Sequence, residues 1–147
     1  MPTVELHATQ FDPWGYLATR QAQQQGPNTR SGANAVFVGT MRDFNEGDDV
    51  QSLYLEHYPG MTERCLQQIA IQALQQWSLD DVLIVHRTGL LLPSEAIVLV
   101  AVWSAHRAAA FEACRHIMEI LKHKVPFWKK EVLANGAVRW VEKNTAG

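Results

Sequence analysis

Residues 82–126 read VLIVHRTGLLLPSEAIVLVAVWSAHRAAAFEACRHIMEILKHKVP and contain the patterns that decide the fold. Residues 82–87 and 96–103 are apolar runs rich in β-branched side chains, which are typical of buried strands. Gly89 and Pro93 lie between the runs and predict two separate strands. Because parallel neighbours need a long crossover, two strands with no helix between them indicate antiparallel pairing.

A helix is predicted directly after the second run. Ser104 is a candidate N-cap, because its side chain can accept a hydrogen bond from a free backbone amide of the first turn. Pro126 ends the helical pattern. Apolar residues at three- and four-residue spacing predict a buried stripe of Phe111, Cys114, Ile117, Met118, Leu121 and Val125.

The flanking sequence predicts five further strands and two further helices. Residues 33–41 and 50–58 are expected to pair as a hairpin around a polar, mobile turn at residues 42–49. Residues 25–32 are rich in turn-forming residues and predict a loop. The other predicted elements are a strand at residues 4–7, a helix from Pro13 to Gln24 capped by Asp12, a helix at residues 62–77, and a hairpin of residues 127–132 and 138–142.

The order of these elements places helices between pairs of strands. This order predicts an α+β fold with a largely antiparallel sheet covered by helices. The chain has 147 residues, of which 47% are hydrophobic, and shows no repeat or linker. We therefore expect one domain that spans residues 1–147.

The composition excludes several classes of protein. Thirteen Lys and Arg against fifteen Asp and Glu give a net charge of -2. A chain with this charge has no overall electrostatic attraction for nucleic acid or anionic lipid. The longest apolar run, residues 96–103, is too short to span a bilayer, and we expect a soluble cytoplasmic protein. Cys65 and Cys114 match neither a disulfide framework nor a metal spacing, and are interpreted as reduced core thiols.

Two clusters have the residue types for chemistry. Ser104, His106 and Arg107 stand where a strand enters a helix, so free amides, an imidazole and a guanidinium favour a phosphate there. The alternative is a solvent-facing pair after a helix cap. The second cluster is basic and comprises Lys122, Lys124, Lys129 and Lys130.

Helical periodicity puts Lys122 beside the apolar stripe, and strand periodicity puts Lys129 and Glu131 on one face with Lys130 on the other. Two lysines in one pocket would lower each other's pKa and become usable bases near neutral pH. The alternative is that these cations only complement a helix C-terminus.

Structural roles are expected for the other histidines and for the acidic residues near them on the helix. The stripe of Glu112, His116, Glu119 and His123 has the spacing of a solvated helix face, and we do not expect a metal site there. His57 and His86 lie in predicted strands without ligand spacing, so hydrogen-bonded structural roles are expected.

Three segments resemble one known family: FVGTMR at residues 37–42, LEHYPGM at residues 55–61, and SAHR at residues 104–107 followed by Lys122 and PFWKKE at residues 126–131. The chain resembles the large, catalytic subunit of molybdopterin synthase over residues 33–142. The resemblance implies an α/β hammerhead fold and a homodimer within a heterotetramer. Each large subunit would take a small ubiquitin-like sulfur-carrier subunit.

The resemblance also implies the reaction. The carrier's C-terminal thiocarboxylate delivers sulfur to cyclic pyranopterin monophosphate and forms the dithiolene of molybdopterin, with no cofactor or metal. Lys122 and Lys129 are implied as catalytic residues. Substrate-binding residues are implied at Thr40, Met41, Arg42, His106, Arg107, Lys130 and Glu131. The alternatives are a non-catalytic adaptor that docks a ubiquitin-like tail and a phosphoester hydrolase.

Overall fold

The computed structural model describes residues 2–24 and 29–141. Within these residues three helices and nine strands form an α+β fold with two curled, largely antiparallel sheets. The elements are β1 (Thr3–His7), α1 (Pro13–Gln23), β2 (Ala33–Thr40), β3 (Phe44–Asn45), β4 (Asp48–His57), α2 (Met61–Gln76), β5 (Asp81–Arg87), β6 (Gly89–Leu91), β7 (Ala96–Ser104), α3 (Arg107–Lys124), β8 (Phe127–Leu133) and β9 (Val138–Val141).

The first sheet has the strand order β1-β5-β7-β2, and all its pairs are antiparallel except β1 with β5. Helices α2 and α3 pack on one face, where Val82, Ile84 and Val100 are fully buried. The opposite face buries Leu83, Val85 and Leu99 beside α1. Both faces of β5 and β7 are therefore covered, which explains why these strands are continuous apolar runs rather than alternating ones.

The second sheet has the order β3-β4-β8-β9, with β6 also paired to β4. Its inner face buries Val50, Leu53, Leu55 and Leu133. Its outer face is open, so exposed Tyr54 alternates with buried Leu53 and Leu55. The predicted hairpin of β8 and β9 is confirmed here.

The predicted hairpin of residues 33–41 with residues 50–58 is wrong. β2 pairs with β7 in the first sheet, whereas β4 pairs with β8 in the second. The physical reason is burial. β2 completes the helix-covered sheet, whereas buried and exposed side chains alternate along β4, as they do in a strand with one face open to solvent. Sequence proximity favours hairpins but does not decide between sheets.

The polar turn at residues 42–49 is also corrected, because it contains β3. Phe44 pairs with Asp49, and Asn45 pairs with Asp48. Glu46 and Gly47 have positive φ of 52° and 82°, the backbone of a tight two-residue hairpin turn. Strand β6 was missed as well, since three residues give no readable alternation.

Two predictions at the start of α3 are corrected. Ser104 stays in β7, where its carbonyl accepts from the amide of Gly32 at 3.0 Å, and the N-cap is His106. Phe111 is 69% exposed rather than buried. Ala110 and Ala113 are buried against the sheet instead, because their small side chains let the helix approach it closely. The buried face of α3 is therefore centred on these alanines and leaves Phe111 outside it.

The N-terminal predictions are confirmed. The Asp12 carboxylate caps α1 by accepting from the amide of Trp14 at 3.1 Å. Of the predicted loop at residues 25–32, residues 25–28 lie outside the described part of the chain. No helix in the described part is long and apolar enough to cross a membrane.

Candidate active site

A groove of about 850 Å³ lies along β2 and α3 and continues onto the inner side of the second sheet. Two lysines and an arginine share this groove: Lys122 in the last turn of α3, Lys129 on β8, and Arg42 just after β2. Three separate elements therefore bring positive charge to one place, which the sequence pattern predicted for the lysines.

Burial makes the two lysines unusual. The pKa of Lys129 is lowered to about 8, first by loss of solvation and then by the positive charge and hydrogen bond of Lys122. Burial also lowers the pKa of Lys122, while its hydrogen bond to Lys129 raises it and the charge of Arg42 lowers it. Loss of solvation and the neighbouring charge of Lys122 therefore both favour the neutral form of Lys129.

Beneath the lysines lies His86, which is 4% exposed. Its ring stacks on Phe127 at a centroid distance of 4.1 Å, and its Nδ1 donates to the carbonyl oxygen of Arg87 at 2.7 Å. Burial lowers the pKa of His86 to about 3, and the charges of Lys122 and Lys129 contribute. The predicted hydrogen-bonded structural histidine is confirmed at this position, and it stays neutral.

Glu131 lines the groove next to Lys129 but is already engaged by other groups. Its carboxylate accepts from Arg139 Nε at 2.8 Å and from Asn45 Nδ2 at 3.1 Å. Arg139 also donates to Asp48 Oδ2 and to the backbone oxygen of Asn45, each at 2.9 Å. This network ties β8 and β9 to the β3–β4 hairpin, so the hairpin has a defined position over the groove.

Thr40, Met41 and Arg42, which were predicted to bind substrate, all line the groove. Met41 is only 5% exposed and also packs in the core of the second sheet. Arg42 is exposed, and its guanidinium carbon lies 4.8 Å from the centre of the Phe44 ring. The β3–β4 hairpin therefore supports the arginine that faces the lysines.

Three of the predicted substrate-binding residues do not line this groove within one chain. His106 and Arg107 are exposed at the first turn of α3. Arg107 precedes Lys122 by fifteen positions, which is about 22 Å along a helix. Lys130 lies on the outer face of the second sheet, with its Nζ 5.9 Å from the centre of the Trp140 ring.

Sequence reasoning missed the far wall of the groove. Phe111, Arg115 and Glu119 line it from one face of α3, at the four-residue spacing of neighbours on a helix. Glu119 was assigned to a solvated stripe, and it does lie 3.7 Å from His123 and 4.0 Å from Arg115. In the described residues no group of three or more His, Cys, Asp or Glu is arranged to hold a metal ion.

The fold and the groove define an α+β protein in which two half-buried amines and an arginine line one groove, an arrangement suited to an enzyme subunit that acts on an anionic substrate. The chain belongs to the MoaE protein family, whose model matches residues 9–124. It is 49% identical over 142 residues to the molybdopterin synthase catalytic subunit of Ralstonia nicotianae, covering 97% of this chain and 78% of that one.

Solved structures of the family share the fold. The molybdopterin biosynthesis MoaE protein from Burkholderia ambifaria superposes with a TM-score of 0.79 at 45% identity, over 96% of this chain and 89% of that one. The molybdopterin synthase structure from Staphylococcus aureus gives a TM-score of 0.80 at 32% identity, over 95% of this chain and 96% of that one. The expected fold class is thereby confirmed.

Proposed function

We propose that this chain is a catalytic subunit of molybdopterin synthase. It transfers sulfur from the C-terminal thiocarboxylate of a small ubiquitin-like carrier subunit to cyclic pyranopterin monophosphate, which forms the dithiolene. Membership of the MoaE family and the relatives' names support this reaction. The observation that carries the proposal is the hydrogen-bonded pair of half-buried lysines beside Arg42.

The lysine pair supplies an acid and a base in one place. When thiocarboxylate sulfur adds to a pterin carbon, an oxygen must leave, and it leaves more easily with a proton. Water then cleaves the bond between the sulfur and the carrier's acyl carbon, which leaves the sulfur on the pterin and releases the carrier as an ordinary carboxylate. We assign Lys122, in its ammonium form, to protonate the leaving oxygen. Lys129, with its pKa near 8, is suited to accept a proton released in the same cycle. Arg42 offsets the negative charge that develops.

The second anion site requires a second copy of the chain. His106 and Arg107 are implied to bind substrate, yet Arg107 precedes Lys122 by fifteen positions on the same helix. A pterin with one phosphate does not span that distance. We therefore assign His106 and Arg107 to the site of the partner in a homodimer, which with two carrier subunits makes the heterotetramer.

We assign the sulfur to the carrier rather than to the two thiols of this chain, Cys65 and Cys114. Burial raises the pKa of Cys114 to about 11, so it remains a neutral thiol. Cys65 is partly buried on α2. The proposal places the whole chain, residues 1–147, as one catalytic domain that works in the cytoplasm. Thr40, Met41 and Glu131 complete its substrate site, while Lys130, on the outer face, contacts substrate only if the partner contributes it.

The test is reconstitution of sulfur transfer. The protein is mixed with thiocarboxylated carrier and cyclic pyranopterin monophosphate, and dithiolene is measured. Product that depends on all three components supports the proposal. Carrier binding without product would favour the adaptor, and release of phosphate without sulfur incorporation would favour the hydrolase.

A further inference from the structure

A short reversal of the chain joins the two lysines of the groove. Lys122 lies in the last turn of α3 and Lys129 is the third residue of β8, with only residues 125–126 between the two elements. Long, flexible side chains keep a hydrogen bond between them only if the backbone that carries them is fixed, because ordering them costs conformational entropy. The backbone of this reversal therefore decides whether the two amines meet.

Pro126, the last residue of the reversal, is held from the start of α2. Thr62 is fully buried, and its hydroxyl donates to the carbonyl oxygen of Pro126 at 3.2 Å. The same hydroxyl accepts from the amide of Tyr58 at 3.0 Å. The hydroxyl is thus used as donor and acceptor at once, and its loss would leave two backbone groups short of a partner.

Phe127, the next residue, is held from β5. Its ring stacks on His86, with the centroids 4.1 Å apart and the ring planes 15° from parallel. The imidazole is buried, and its Nδ1 donates to the carbonyl oxygen of Arg87 at 2.7 Å, so it has a fixed orientation. Two successive residues before Lys129 are therefore fixed from two different elements.

We propose that Thr62 and His86 are positioning residues of the reaction, which hold the reversal between α3 and β8 so that the amines of Lys122 and Lys129 meet. Neither residue is among those that line the groove, so both act through the lysines. The effect on the reaction rate rests on the proposed function, whereas the effect on the lysines does not.

Separation of the amines has a defined electrostatic consequence. The pKa of Lys129 is lowered to about 8 first by burial and then by Lys122, while the charge of Glu131 opposes the shift. The other groups that face the pair are Arg42, which acts on Lys122, and His86, which is neutral. If the reversal loosens, Lys129 gains water and loses its neighbour, so its pKa should rise.

The first experiment titrates the lysines by NMR on the full chain, isotope-labelled at the lysine ε-carbons. Lys129→Ala identifies the Lys129 signal by its loss. Thr62→Val keeps the shape of the side chain and removes both hydrogen bonds, so it should move the midpoint of the Lys129 titration up by about one pH unit. Thr62→Ser keeps the hydroxyl and should retain the parent midpoint.

A matched pair of variants tests the second residue in the same way. His86→Leu removes the stacked ring and should also move the midpoint of the Lys129 titration upwards. His86→Phe keeps a ring against Phe127 and should leave the midpoint unchanged. Because the two residues are tested independently, a variant of one that does not fold leaves the other to decide.

The control for a general loss of stability is Leu79→Ala. Leu79 is buried in the core beneath α2 and follows the end of that helix, whereas Thr62 stands at its start. Leu79→Ala should lower the urea midpoint, because it opens a cavity, and leave the Lys129 titration at the parent value. An equal movement of the titration in Leu79→Ala would assign the effect to stability and overturn the proposal.

The second experiment measures sulfur transfer over the same pH range. In Thr62→Val and His86→Leu the rise of the rate near pH 8 should move with the lysine titration. Since a midpoint one unit higher reduces the neutral amine about tenfold below pH 8, the rate at pH 7 should fall about tenfold.

The outcomes separate positioning from function. If Thr62→Val and His86→Leu leave the Lys129 titration near pH 8, neither residue positions the pair, and the sulfur transfer stands. If the titration moves and the rate profile does not, the two residues do position the pair, and Lys129 is not the base of the proposed reaction.

Discussion

At the scale of single residues, the lysine pair determines how the activity depends on pH. Lys129 becomes a neutral amine only as the pH rises through its pKa of about 8, so the rate of sulfur transfer should rise over the same range. Lys122→Ala should nearly abolish transfer and Lys129→Ala should lower it about 100-fold. The Lys129→Ala profile should lose the limb near pH 8.

The control for both variants is Lys124→Ala, because Lys124 is exposed on the same helix. It should keep the rate and the pH profile of the parent protein. If Lys129→Ala retains the limb near pH 8, another group titrates there and Lys129 is not the base.

The same shifted pKa affects stability. The pKa of Lys129 in the folded protein is about 8, against 10.5 for a free lysine, so below pH 8 the folded protein holds a half-buried cation that the unfolded chain exposes to water. The free energy of unfolding should therefore rise with pH between the two values. Lys129→Met removes the cation and should stabilise the protein at pH 7 by about 3 kcal/mol. Urea unfolding at fixed protein concentration measures both effects.

A measurement at a second pH tests whether the stabilisation by Lys129→Met comes from removal of the charge. Above pH 10.5 the lysine is neutral in both states, so the advantage of Lys129→Met should disappear. Lys124→Met is the matched control and should change stability little at either pH. An advantage that is the same at pH 7 and above pH 10.5 would assign the effect to packing rather than to charge.

At the scale of elements, the β3–β4 hairpin depends on one arginine of β9. Arg139 bonds Glu131, Asp48 and the backbone of Asn45, so Arg139→Ala should loosen the hairpin and leave the buried Glu131 carboxylate short of a partner. We expect faster amide exchange at residues 44–49 and a lower urea midpoint. The sulfur-transfer rate should fall too, because the hairpin supports Arg42.

Adding Glu131→Gln separates the two effects of Arg139→Ala, which are the loosened hairpin and the buried carboxylate that has lost a partner. In the double variant Arg139→Ala with Glu131→Gln, the buried charge is gone, so part of the urea midpoint should return while the hairpin amides still exchange fast. Unchanged exchange at residues 44–49 in Arg139→Ala alone would show that the hairpin does not depend on this network.

The elements also show how far sequence patterns reach. Helix α2 is long enough for its periodicity to define it, and strands β5 and β7 are defined by continuous apolar runs. Asp12 and Pro126 mark helix ends with local chemistry. The pairing of β2 with β7 is not readable, because it is decided by which sheet the helices cover. The lysine pair was predictable from two periodicities, whereas the Arg139 network joins residues 91 positions apart.

At the scale of the whole molecule, the length of α3 separates two halves of the proposed site. Lys122 stands at one end of the helix and Arg107 at the other, so each substrate would meet the lysine of one copy and the arginine of its partner. Arg107→Ala should accordingly weaken pterin binding, measured by calorimetric titration, without weakening carrier binding. Equal loss of both affinities would point to a folding defect.

Mixed dimers test the sharing of the site directly. Lys122→Ala and Arg107→Ala are each expected to give poorly active homodimers. A dimer with one copy of each, purified by two different tags, has both defects in one site and none in the other, so it should recover about half of the parent rate. If Lys122 and Arg107 instead served the same chain's site, each site of the mixed dimer would carry one defect. No activity would return, and the assignment of Arg107 to the partner's site would be wrong.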